Sequence, residues 1–113
     1  MKDIEKIIQE YTEAAIKYGN ATEEGKYKIV NNQYKIIEKN IDKLKSIENG
    51  INKLENLLEH QSDYVKLWSA RYLLYLKEQK AKETLLILIQ KSGVIGFDAK
   101  MTLEEWGKGN ISK

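Results

Sequence analysis

Residues 57–73 read LLEHQSDYVKLWSARYL. Leu57 and Leu58 finish an apolar stripe that starts at Ile51 and Leu54, spaced by three and four as on one face of a helix. His60-Gln61-Ser62-Asp63 breaks that stripe. Val65, Trp68, Ala70, Leu73, Leu74 and Leu76 then open another, which predicts a helix over about 64–77 with these residues buried. Asp63, a short acceptor side chain just ahead of the new stripe, is the expected N-cap. Two helices joined by a polar turn is the reading of this stretch, and the same periodicity runs outward in both directions.

Upstream, Ile4, Ile7, Ile8, Tyr11, Ala14, Ala15 and Tyr18 predict a first helix, with Asp3 as its N-cap and Gly19 at its left-handed C-terminal position. Thr22 is expected to open a longer second helix, with Glu23 and Glu24 favourably placed against the dipole of its first turn. Its seam is Tyr27, Val30, Tyr34, Ile37, Ile41 and Leu44, widened by Ile29, Ile36 and Ile47, and it ends near the turn signal Asn49-Gly50. Downstream, Gln79 starts a fifth helix through Leu85, Leu86, Leu88 and Ile89, stopped by Ser92-Gly93. A last helix over about Phe97–Trp106 turns Ala99, Leu103 and Trp106 inward, and the tail after Gly109 is expected to fray. Leu85–Ile89 and Gly93–Phe97 are β-rich, but the first lies within a helical phase and the second is short enough for a loop. The fold class is therefore all-α, about six helices in one domain over residues 1–113.

Composition agrees. The chain of 113 residues has no proline, which allows long uninterrupted helices, and no cysteine, which excludes disulfides, thiolate metal sites and a cysteine nucleophile. Nineteen basic and 17 acidic residues leave a net charge of +2, spread evenly along the chain. That balance argues against a dedicated nucleic-acid binder. The N-terminal MKDIEKIIQEY lacks the unbroken apolar core of a signal peptide, and the longest apolar run, Leu85–Ile89, is far short of the roughly 20 residues that span a bilayer. A soluble, cytoplasmic protein without membrane contact is expected. Asn20-Ala21-Thr22 and Asn110-Ile111-Ser112 match the glycosylation pattern and, without a secretion signal, are read as chance.

No motif carries chemistry. His60, the single histidine, has no ligand spacing and no nucleophile motif around it, so it is assigned to the helix-to-helix turn, bonding free backbone carbonyls. The pairs Glu23/Glu24 and Glu104/Glu105 are sequence neighbours that point apart on a helix, unlike the facing carboxylates of a glycosidase. Gly93-x-x-Gly96 and Gly107-x-Gly109 lack the lysine of a phosphate loop and the third glycine of a dinucleotide turn. Lys35, Lys39, Lys43 and Lys45 alternate with Glu38 and Asp42, the pattern of a solvated helix. Neither a cofactor nor a metal is expected, and the chain is read as non-catalytic.

The informative cluster is Trp68, Arg71, Tyr72 and Tyr75, which cover one broad face of the fourth helix. Trp, Tyr and Arg dominate interface hot spots, and Arg71, the only arginine, offers a planar bidentate fork. Two readings stand for this face. In one, Trp68 belongs to the core, Tyr72 caps its edge, and Arg71 forms an internal salt bridge. In the other, the four residues bind a protein partner.

The pattern Leu57-Leu58-x-His60-x-x-Asp63-x-Val65-Lys66-x-x-Ser69-Ala70-x-x-Leu73 resembles the middle of a HEAT-type repeat, with Lys66 where the repeat usually has arginine. Together with Tyr27-x-x-Val30-Asn31-x-x-Tyr34 and Leu103-x-x-Trp106-x-x-Gly109, it is similar to a small bacterial HEAT-like family, the domain of unknown function DUF twenty-nineteen. The resemblance implies a short α–α superhelix and brings no catalytic residues. Its members are thought to sit beside toxin genes, which implies an immunity or adaptor protein whose partner is a bacterial toxin. The alternative is a HEAT-like domain that cradles nucleic acid on a basic face, although the charge balance speaks against it. A basic nuclease target also fits poorly, because its inhibitor is expected to be acidic.

Overall fold

The computed structural model describes residues 3–109. Among them are six α-helices, one short 3₁₀ turn and no strand. The helices are α1 (Ile4–Glu24), α2 (Tyr27–Lys45), α3 (Gly50–Asn56), α4 (Asp63–Leu73), α5 (Glu78–Ile89) and α6 (Val94–Gly107), with the 3₁₀ turn at Leu57–Glu59. The all-α architecture expected from the spacing is the one present. The expected tail and the Asn110-Ile111-Ser112 pattern lie outside the described residues.

The chain divides into two compact units after Leu54. In the first, α1 and α2 pack as a hairpin. The Asp3 carboxylate caps α1 as expected, accepting the Glu5 and Lys6 backbone N–H groups at 3.0 and 3.4 Å. Gly19 does not end the helix, and Thr22 does not start the next one. Gly19 is buried inside α1, and the helix continues because Ala21 extends the stripe of Ala14 and Tyr18 at the same spacing. Gly25 takes the left-handed conformation instead (φ 72°). Its N–H reaches the Thr22 carbonyl and the Lys26 N–H reaches that of Ala21, a Schellman closure that satisfies two carbonyls at the helix end.

Only the C-terminal half of the α2 seam is covered: Ile37, Ile41 and Leu44 are buried, whereas Tyr27, Ile29 and Tyr34 are exposed. Asn40, invisible to a hydrophobic pattern, is fully buried among them. Asn49 closes the turn before α3 with a positive φ of 66°.

In the second unit α4, α5 and α6 pack on one another. Val65, Ala70 and Leu73 of α4, Ala81, Leu85 and Leu88 of α5, and Ile95 and Ala99 of α6 are among its buried side chains. The N-cap of α4 is Ser62 rather than Asp63: the Ser62 hydroxyl accepts the Val65 N–H at 3.4 Å. Asp63 stands one residue inside, where its charge suits the helix dipole and where Lys91 Nζ reaches both carboxylate oxygens at 3.0 Å. The helix ends at Leu73, four residues earlier than expected, because the Leu73 carbonyl takes both the Leu76 and Lys77 N–H groups and closes a turn. Leu76 therefore leaves the buried stripe and is exposed. At the start of α6, Gly96 lies within the helix, and a Cβ built on it would sit 1.9 Å from the Lys91 carbonyl oxygen. The loop before α6 can approach this closely only because residue 96 has no side chain.

Candidate functional site

Most of α4 is buried, including Tyr64, Val65, residues 67–70 and Leu73, and its remaining residues are half-buried. Trp68 is buried, with 6% of its surface exposed. Tyr72, one turn later, is half-buried and stacks on it, with ring centroids 6.0 Å apart and planes inclined by 26°. Arg71 is half-buried beside Tyr72. Tyr75, also half-buried, is not on the helix but in the turn that follows it. The structure thus brings Trp68 and Tyr72 into direct contact and gives Trp68 little surface of its own. What this face shows to solvent is carried by Arg71, Tyr72 and Tyr75.

Arg71 faces Asp98 of α6 electrostatically. Burial pushes the Asp98 carboxyl above the usual range, and the Arg71 charge pulls it back in part. The Asp98 backbone carbonyl accepts the Thr102 hydroxyl, one turn further along α6, at 2.7 Å.

A second polar cluster surrounds Glu55. Lys80 and Lys77 both pair with its carboxylate, and the Lys80 hydrogen bond is the main reason its pKa lies below the ordinary value. The same bond raises Lys80. Glu78 is lowered in turn, first by Lys82 at 2.7 Å and then by the Trp106 indole N–H, which donates to it at 3.4 Å. These pairs are solvent-exposed and hold helix surfaces together; exposed pairs of this kind contribute little each.

His60 lies at the turn before α4, as expected, but its chemistry there is reversed. Nδ1 accepts the Ser62 backbone N–H at 2.9 Å, so this nitrogen takes a donor instead of bonding a carbonyl. Among the described residues no three His, Cys, Asp or Glu side chains gather to hold a metal ion. Among the same residues no helix is long and apolar enough to cross a membrane.

Several apolar side chains that periodicity assigned to helices without assigning a face stand in solvent: Leu86 and Ile87 on α5 and Phe97 and Met101 on α6. Phe97 and Met101 are one helical turn apart, a spacing visible in the sequence, but α6 is apolar on more than one side, so its pattern does not say which side is covered.

No family model and no curated protein matches this chain. Among solved structures it is similar to the crystal structure of the protein RPA1889 from Rhodopseudomonas palustris CGA009, with a TM-score of 0.88 and 19% identity, over 100% of this chain and 95% of that one. At that identity the likeness shows a shared helical fold.

Proposed function

We propose that this chain is a non-catalytic protein-binding module, an immunity or adaptor protein of HEAT-like type whose partner is a bacterial toxin, and that it binds through the face formed by Arg71, Tyr72 and Tyr75. One observation supports the choice of face. Tyr72 is seated on the buried Trp68 ring, so it offers a large amphipathic surface whose rotamer is already held. A preordered aromatic loses little conformational entropy on binding, which is what makes Tyr an effective anchor. Arg71 beside it adds planar donors for a partner carboxylate.

The test is cross-linked capture from the native host with wild-type protein, Tyr72→Ala, Arg71→Ala and, as an exposed control in the first unit, Glu23→Gln. The reading expects a discrete captured protein that is retained by the control and reduced about tenfold or more by either face variant, the usual weight of a hot-spot residue. Capture that is insensitive to both face variants overturns the choice of face. Salt-sensitive recovery of nucleic acid without a protein partner overturns the function. Trp68→Ala is unsuitable as a binding probe because it opens a cavity beneath the face.

A further inference from the structure

We propose that the groove between α1 and α2 is a binding site for a guanidinium group, held by the carboxylates of Glu10 and Glu13. The groove has a volume of about 570 Å³, within the range of small-ligand sites, and lies in the first unit, independent of the α4 face. Its wall contains Asn40, which is fully buried. The Asn40 amide nitrogen donates to Glu10 Oε2 and to the Ile36 carbonyl, both at 2.8 Å. Both partners are acceptors, so the amide has one possible orientation; flipping it would set its oxygen against two oxygens. That orientation leaves Asn40 Oδ1 buried with no donor from the protein. A buried acceptor of this kind carries a desolvation cost that a ligand N–H can relieve.

The carboxylates above it are arranged to match. Glu10 is held through one oxygen by Asn40, and Glu13 through one oxygen by Gln9, whose amide donates to it at 3.3 Å. Each keeps its other oxygen. They stand three residues apart on one face of α1. Among the described residues neither forms an ion pair, although Lys6 and Lys43 border the groove. Two oriented carboxylates without a counter-cation, beside an acceptor without a donor, call for a ligand with several N–H groups and a positive charge. A guanidinium fits best, because its planar fork serves more than one acceptor at once, whereas an ammonium is a single strongly hydrated point. An anion attracted to Lys6 and Lys43 would meet the same carboxylates and carbonyl with the wrong sign.

The experiment is titration of the ¹⁵N-labelled full chain with ethylguanidinium and with an arginine blocked at both ends, followed by the Asn40 side-chain amide and the Glu10 and Glu13 backbone signals. Sodium chloride at equal ionic strength and sodium acetate are the controls. Saturable shifts with both guanidinium compounds are expected, weakened about fivefold or more by Glu10→Gln and by Glu13→Gln, since each removes one charge-assisted contact. Both variants keep an oxygen for the amide that holds them, and the spectrum itself reports that they are folded. Lys6→Ala is expected to tighten binding by about twofold by removing a like charge. Tighter binding of the blocked arginine than of ethylguanidinium assigns the group to a polypeptide ligand; equal binding assigns it to a free small cation. Shifts that stay linear or match sodium chloride, indifference to both Gln variants, saturable binding of acetate, or weaker binding in Lys6→Ala would each overturn the proposal.

Discussion

Asp98 is the side chain whose ionisation the fold resists. Burial raises its pKa and Arg71 offsets that rise only in part. Folding therefore favours the protonated form. The stability this contributes is fully present below the unfolded carboxyl's pKa and is lost as pH rises through the folded value. Asp98→Asn mimics the protonated state, so it is expected to match wild type near about pH 3 and to exceed it at about pH 7. The gain should be no more than about 0.5 kcal/mol, because the group is only partly buried and solvent screens it. Arg71→Ala should act in the opposite sense, with a larger loss at neutral than at acid pH. Urea unfolding of both variants at the two pH values measures this. Glu55 follows the reverse rule: its lowered pKa contributes stability above the ordinary carboxylate range, lost as pH falls. At this scale the sequence was partly readable. Trp68 and Tyr72 are one helical turn apart, so their contact follows from spacing alone. Asn40 and Glu10 are thirty residues apart, and the pairing that shapes the α1–α2 groove exists only once the hairpin forms.

Elements were legible wherever three- and four-residue spacing was backed by a cap, and misread where a glycine or an aromatic served two purposes. Gly19 sits in a helix that continues past it, while Gly25, with no apolar pattern to flag it, takes the left-handed terminus. Tyr27 and Tyr34 have the spacing of a buried seam but stand in solvent, because an aromatic with a polar tip fits a surface as well as a core. Leu76 was lost to the core because α4 stops at Leu73, which depends on how one carbonyl shares two donors rather than on hydrophobicity. The close approach at Gly96 gives this scale its prediction. Gly96→Ala places a methyl 1.9 Å from a backbone oxygen that cannot rotate away. It is expected to cost about 1–3 kcal/mol, the usual range for overpacking. Gly107→Ala, with nothing within 4 Å, is the matched control and should be neutral or slightly stabilising. Chemical denaturation of the pair separates steric strain from helix propensity. Equal midpoints for the two variants would contradict the packing at Gly96.

For the whole molecule, the two compact units carry different kinds of surface: a carboxylate-lined groove in the first and an aromatic face with one arginine in the second. The turns between helices are made by Gly25, Asn49, Ser62, Gly93 and their neighbours, and the chain contains neither proline nor cysteine. This has a kinetic consequence. Prolyl isomerisation and disulfide exchange, the two covalent processes that commonly slow refolding to about tens of seconds or longer, have no substrate in this chain. Diluted out of urea, the protein is expected to recover its full helical signal within about a second, as helical chains with mostly local contacts do. The recovered amplitude should be the same whether the chain was unfolded briefly or for an hour. A slow fraction that grows with time in denaturant would reveal a bottleneck of another origin.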